Sequence, residues 1–243
     1  MKVNYDRGRV SPSTLSRLIS RNCALCGLPS GQRSVCRGCS KDLPWLEHAC
    51  ARCGAALPPT HPASNCAACD PILPAGMRAV SALSYSYPIN LLIKAAKFHH
   101  RQDLARTLGS LLAEYLARRL QRGDLVLPDL LLPVPLHRWR FIWRGFNQAD
   151  EIAQPIGRNF SVPVYSDCCI RVHATSPQTG LTGSARRRNM RSAFKASSCL
   201  AGASVAIIDD VFTTGSTTAA VAQAARSSGA AHVQIWTVTR AEI

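Results

Sequence analysis

A chain of 243 residues with 47% hydrophobic side chains is long enough to bury a core and too apolar to remain a disordered polymer. Its 29 Lys and Arg against 14 Asp and Glu give a formal charge of +15, which favours polyanionic partners such as nucleic acid, phosphate esters or anionic lipid without choosing among them. The most apolar stretch, 125–136, is broken by Pro128, Asp129, Pro133 and Pro135, so no membrane insertion is expected. Residues 1–22 carry five Lys and Arg and no apolar run before a small-residue cleavage site, a pattern that predicts a cytoplasmic protein.

Eight of the eleven cysteines fall between 23 and 69, all in CxxC pairs: Cys23/Cys26, Cys36/Cys39, Cys50/Cys53 and Cys66/Cys69. A CxxC turn aims two thiolates at one ion, and two such turns complete the tetrahedral four-cysteine shell that suits zinc. Four turns therefore predict two structural zinc ions with closed shells and no open position for a substrate water. Gly27 and Gly54 directly follow the second cysteine of their pairs, where such a turn needs positive φ. A disulfide framework would need an oxidising compartment, and a redox CxxC would stand alone at a strand-to-helix junction. Sequential pairing joins the first two turns and then the last two, whereas a cross-brace joins first with third and second with fourth. The short intervals favour the sequential scheme, because closing a smaller loop costs less entropy. Cys168, Cys169 and Cys199 stand outside this region; Cys168 and Cys169 lie in a strand candidate with Val164, Ile170 and Val172 and read as core thiols.

Residues 70–76 hold two prolines and a glycine and read as a linker. A strand is predicted over 78–87, and Pro88 opens a helix carrying Leu91, Leu92, Lys94 and Lys97. Over 103–121, Leu104, Leu108, Leu111, Leu112, Tyr115, Leu116 and Leu120 follow the helical period. The run 129–135 lacks alternation, as a strand buried on both faces does. A helix interrupted by Pro155 follows over 147–159. Strands are then predicted over 162–172, 203–208 and 232–238, with a helix at 215–228. Strands that alternate with helices predict an α/β fold with a mostly parallel sheet.

The sharpest local pattern is Val205-Ala-Ile-Ile-Asp-Asp-Val-Phe-Thr-Thr-Gly-Ser-Thr217. An apolar strand ends in two carboxylates, Asp209 and Asp210. A hydroxyl- and glycine-rich loop then leads into an Ala-rich helix. Backbone N–H groups of such a loop and helix start cradle a phosphate, and the hydroxyls of Thr213, Thr214, Ser216 and Thr217 add donors. A carboxylate accepts hydrogen bonds from ribose hydroxyls, and the carboxyl end of a strand is where open α/β sheets bind ligands. It is not a Walker loop, since no Gly-Lys-Ser/Thr follows at the required spacing.

This stretch is similar to the signature of type I phosphoribosyltransferases, which bind phosphoribosyl pyrophosphate (PRPP). Ahead of it stand Leu132-Pro-Val-Pro-Leu136, Arg144-Gly-Phe-Asn-Gln148, Gln178-Thr-Gly-Leu181 and Arg186-Arg-Arg-Asn189 with Phe194. Together with the cysteine turns, the chain from about Cys23 to Arg240 resembles the ComF family, double zinc ribbon proteins with a phosphoribosyltransferase domain linked to DNA uptake and natural competence. The resemblance implies a parallel-sheet type I phosphoribosyltransferase fold over 77–243, a small double zinc ribbon over 23–70, and an N-terminal extension over 1–22. It implies that Asp209 and Asp210 hold the ribose and that Thr213, Thr214, Gly215, Ser216 and Thr217 hold the 5′-phosphate. Val134, Pro135 and Leu136, with Arg138 and Arg144 nearby, would form the pyrophosphate loop, and 171–194 the mobile lid. One departure is His99-His100, where a small residue such as Gly is expected after Lys-Phe.

In that fold a nucleophile displaces pyrophosphate from C1 of PRPP. Mg²⁺ with PRPP, Arg144 and the Arg186, Arg187 and Arg188 cluster would stabilise the leaving group. Two readings follow. In the first, the protein acts in DNA uptake, binds single-stranded DNA and retains a PRPP site. Over 137–195 there are ten Lys and Arg against three Asp and Glu, so the charge lies beside that site. The nucleic-acid candidates are Lys94, Lys97, Arg138, Arg140, Arg187 and Arg188. In the second it is a metabolic phosphoribosyltransferase acting on a base or amine. Trp139, Phe141, Trp143 and Phe146 alternate with Arg138, Arg140 and Arg144 and suit base stacking, though four aromatics in eight residues favour packing on the sheet. Trp45 and the Pro-rich stretch from Leu57 to Pro62 offer a surface to a protein partner such as a helicase or recombination mediator.

Overall fold

Each apolar run without alternation becomes a strand covered on both faces, and each helical stripe a helix packed on the resulting sheet. The computed structural model describes residues 21–61, 65, 66, 73, 76–172 and 193–241. It divides into two compact units, 1–43 and 44–243.

In the first unit, β1 (Arg21–Asn22) pairs antiparallel with β2 (Pro29–Gly31), and α1 (Arg37–Lys41) follows. Cys36 caps α1, its sulfur accepting from the Cys39 N–H. Gly27 has φ +75°, as the turn after a CxxC pair requires.

The second unit is built on β3 (Arg78–Ser84), β4 (Leu130–Pro133), β7 (Ser204–Phe212) and β8 (His232–Arg240). They form a parallel sheet in the order β3-β8-β7-β4, which bears out the expected α/β class. Val205, Ala206, Ile207 and Ile208 of β7 are fully buried, each large side chain contributing about 1.5–3 kcal/mol. The helices are α2 (Ile89–Phe98), α3 (Gln102–Gln121), α4 (Arg138–Arg144), α5 (Gln148–Phe160) and α6 (Ser216–Ser227). The α3 stripe buries Leu104, Leu108, Leu111, Leu112, Tyr115 and Leu116. A Cβ on Gly109 would stand 2.3 Å from the Ile152 carbonyl, so α3 and α5 approach backbone to backbone.

Four local expectations change. Pro155 does not interrupt α5, which runs through it. Proline removes one helical N–H, and burial of Ile152, Ala153 and Ile156 holds the helix regardless. The stretch 162–172 is not one strand. Val164 bridges Leu131, a turn follows, and β5 (Cys169–Arg171) pairs antiparallel with β6 (Phe194–Ala196). Third, Cys168 and Cys169 are buried, but Cys199 is exposed and disulfide-bonded to Cys168. The antiparallel pairing of β5 with β6 brings these two together, with the Ser197 N–H donating to the Cys168 carbonyl. Fourth, β7 runs through Asp209 and Asp210 to Phe212 instead of ending before them.

The third cysteine turn, Cys50/Cys53, belongs to the α/β unit. The Leu46 N–H donates to the Ala82 carbonyl, Ser84 to Pro44 and Ala79 to Arg52, so the segment from Pro44 to Arg52 lies along the outer flank of β3. Gly54 has φ +67°, and a Cβ there would stand 3.1 Å from Ser81 Oγ. Only glycine both turns here and admits the strand.

Candidate functional site

The site grows from a mismatch in strand length. Pairing of β4 to β7 stops at Pro133 opposite Ile208, while β7 stays paired to β8 through Asp209 opposite Thr237 and Phe212 opposite Arg240. Asp209 and Asp210 therefore lie just past the end of β4, at the sheet's carboxyl edge. A cavity of about 660 Å³ opens there and brings together Val134, Pro135, Arg140, Arg144, Asp209, Asp210 and Thr217. Thr213, Thr214, Gly215 and Ser216 adjoin Thr217 in the loop leading to α6. Lys94 and Arg138 are exposed and do not line this cavity. Arg186, Arg187 and Arg188 lie outside the described residues.

The loop is ordered by its own groups. Gly215 turns at φ +69° and caps α6, Thr214 Oγ1 lies 2.9 Å from Ser216 Oγ, and Thr218 Oγ1 donates to the Gly215 carbonyl. From behind, the buried Arg240 donates from Nη1 to the carbonyls of Phe212, Thr213 and Ala241 while its guanidinium lies 4.8 Å from the Phe212 ring centre. Sequence reasoning passed over Arg240; its signal is a charged residue ending a strand that is otherwise buried.

The two acids differ. Asp209 Oδ1 accepts the Asp210 N–H at 2.9 Å. Burial first, and the Asp210 charge second, push the Asp209 carboxyl well above the ordinary carboxylate range. Asp210 is buried and forms an ion pair with Lys97 Nζ at 2.6 Å. Lys97, one of the nucleic-acid candidates, thus points from the last turn of α2 into the cavity. Arg144 donates to Gln148 Oε1, and Asn147 Nδ2 donates to the Val134 carbonyl, tying the start of α5 to the segment after β4. Burial lowers the Arg144 pKa against the pull of Asp210, and burial also lowers that of Arg171, a further lining residue. Both remain cations.

The packing expectation for the aromatics is overturned in three of four cases. Phe146 is buried, but α4 buries no residue, and Trp139, Phe141 and Trp143 are 74%, 50% and 59% exposed. A two-turn helix after a proline loop lacks the length to cover its apolar face on the sheet. Trp143 lines the cavity mouth, and the His100 ring lies 5.7 Å from it. His100 has φ +53°, the left-handed conformation that a glycine would supply here, and its Nδ1 lies 2.9 Å from the Arg144 carbonyl oxygen.

The cysteines resolve the pairing. The Sγ atoms of Cys23, Cys26, Cys36 and Cys39 lie within 4.8 Å of one another, as do those of Cys50, Cys53 and Cys66; Cys69 lies outside the described residues. Pairing is sequential. A tetrahedron of Zn–S bonds places sulfurs ~3.8 Å apart, and Cys26 to Cys36 is 3.8 Å and Cys53 to Cys66 is 3.5 Å. Cys36 N–H donates to Cys23 Sγ, and Cys66 N–H to Cys50 Sγ. Burial opposes ionisation of Cys23, but N–H donors of Cys26, Cys36 and Leu25 bring its pKa down to about 6. Hydrogen bonds from Cys26 and Cys36 push Cys39 up to about 12. Four thiolates in so small a space need a cation, and these donors fit zinc.

A family model described as a double zinc ribbon domain matches residues 14–72. The DNA utilization protein YhgH of Escherichia coli O157:H7 is 37% identical over 220 residues, covering 90% of this chain and 96% of that protein. Competence protein F of Haemophilus influenzae is 34% identical over 215 residues, covering 86% and 92%. The chain belongs to the ComF family. Among solved structures, the B. subtilis glutamine PRPP amidotransferase complexed with ADP and GMP aligns at TM-score 0.38 and 18% identity, over 57% of this ComF chain and 26% of that one. Among the described residues of this ComF protein no helix is long and apolar enough to cross a membrane.

Proposed function

We propose that this ComF protein acts in the cytoplasm in DNA uptake, binds single-stranded DNA on α4, and holds PRPP in the cavity beside β7. The carrying observation is that one cavity is lined by the acid pair, Thr217 of the phosphate loop and the Arg140, Trp143 and Arg144 face of α4. The 5′-phosphate would lie on the N–H groups and hydroxyls of Thr213 to Thr217. Ribose hydroxyls would donate to Asp209 and Asp210. The pyrophosphate would face Arg140, Arg144 and Arg171, with Mg²⁺ on its own oxygens. Bases would stack on Trp139 and Trp143 while Arg138 and Arg140 hold phosphates. Two structural zinc ions would fix the cysteine turns, and the names of the relatives support the DNA-handling role.

The half-buried Arg144 favours a second reading, transfer of ribose 5-phosphate to a base or amine. In that reaction the C1–O bond to pyrophosphate breaks as the nucleophile bonds to C1, and guanidinium groups stabilise the departing charge. Calorimetric titration of PRPP into the zinc-loaded protein, with and without single-stranded DNA, tests the site. Saturable binding lost in Asp209→Asn/Asp210→Asn supports it, and no binding by the unmodified protein removes it. DNA affinity insensitive to salt would remove the DNA reading.

A further inference from the structure

The acid pair of the cavity already carries a cation. Lys97 Nζ lies 2.6 Å from Asp210 Oδ2, and their side chains are 29% and 10% exposed. One oxygen of Asp209 is taken by the Asp210 N–H. Around the pair, Arg140, Arg144 and Arg171 line the same cavity, so a dication approaching the acids would meet four protein cations and would have to displace an ammonium from a buried carboxylate. A divalent ion seeks open carboxylate oxygens and keeps several waters, and here one oxygen of each acid is already engaged, by the Lys97 ammonium and by the Asp210 N–H.

We infer that Lys97 replaces a divalent metal at the acid pair, so that the cavity binds a ribose 5-phosphate ligand without metal held by the protein. This rests on the PRPP reading and deepens it. Lys97 neutralises Asp210 and leaves its outer lone pairs to accept ribose hydroxyls, while three arginines supply the charge that pyrophosphate needs. Lys97 is thereby a positioning residue as well as a counter-ion. Removing its ammonium leaves a buried unpaired carboxylate, which then recruits a metal ion.

Two measurements on the zinc-loaded full chain test this. In the first, Mn²⁺ is titrated without PRPP and followed by electron paramagnetic resonance. The unmodified protein and Lys97→Arg are expected to take up no Mn²⁺ at the acids, Lys97→Met to gain one site, and Lys97→Met/Asp210→Asn to lose it. In the second, PRPP affinity is measured in metal-stripped buffer with and without Mg²⁺. The unmodified protein should change by less than about threefold, and Lys97→Met should weaken at least about tenfold without Mg²⁺ and recover with it, as expected for loss of a charge-assisted contact. Mn²⁺ binding by the unmodified protein as tight as by Lys97→Met overturns the inference. So does a Mg²⁺ requirement that Lys97→Met leaves unchanged. If the unmodified protein binds no PRPP in either buffer, the PRPP reading fails, and the Mn²⁺ titration alone decides the role of Lys97.

Discussion

Arg240 Nη1 reaches the Thr213 carbonyl at 2.5 Å from the last residue of β8, so the strand beside β7 holds the loop that begins at Thr213 from behind. The same nitrogen holds Phe212 and Ala241. Replacing Arg240 with Met removes a buried cation and the donor that the Phe212, Thr213 and Ala241 carbonyls share, and should cost about 1–3 kcal/mol. The expected result is a lower urea midpoint and weaker PRPP binding together; unchanged PRPP affinity would separate the loop from its support.

Gly109→Ala sets two effects of opposite sign against each other. Alanine gains about 1 kcal/mol in a helix interior over glycine. Its Cβ would fall 2.3 Å from the Ile152 carbonyl, a backbone atom that cannot swing aside. Forcing α3 from α5 costs typically ~1–3 kcal/mol, so the variant should melt at lower temperature, the reverse of the helix-propensity expectation.

The raised Asp209 pKa has a readable sign. Unfolded aspartate releases its proton near pH ~3.9, while the folded protein holds that of Asp209 to a higher pH. Over this window the unfolded state binds fewer protons, so this group's contribution is fully present below the unfolded pKa and is lost as pH rises through the folded one. Denaturant titrations at about pH 5 and about pH 8 should show the unmodified protein losing stability relative to Asp209→Asn at the higher pH. Parallel curves would show that Asp209 titrates normally.

The two cysteine clusters should fail differently. Cys53 is fully buried in the core of the α/β unit, whereas Cys39 lies in the unit ending at Leu43. Each of Cys39→Ser and Cys53→Ser should bind half the zinc of the unmodified chain by metal analysis. Only Cys53→Ser should lower the main calorimetric transition, by about 2 kcal/mol or more.

On α4, Trp139→Ala and Trp143→Ala remove side chains that bury little, so stability should hold within about 0.5 kcal/mol. Single-stranded DNA affinity should fall by about 1–3 kcal/mol for each lost stacking contact. Arg138→Ala should instead flatten the salt dependence, by about 0.7 in log–log slope for one phosphate contact. Fluorescence anisotropy across a salt series reads both.

The parts legible in the sequence are those written locally. The 3.6-residue stripe of α3 and the run from Val205 to Thr217 each announce their own geometry, and the spacing of the cysteines favoured sequential pairing. What stayed hidden depends on partners far along the chain. Nothing near Lys97 says that Asp210, more than a hundred residues on, will face it. The aromatic density of 139–146 reads as core until the shortness of α4 leaves it uncovered. The single strand expected over 162–172 breaks because Val164 is drawn to Leu131 while Cys169 is drawn to Ala196.

The segment from Pro44 to Arg52 has a further consequence. Without it, the outer side of β3 would present unpaired N–H and C=O groups, a template on which another molecule's strand can add. A metal held by Cys50, Cys53 and Cys66 would thereby also guard the sheet against joining its neighbours. Zinc loss in this protein should first be visible in light scattering, as self-association, before any change in helix content.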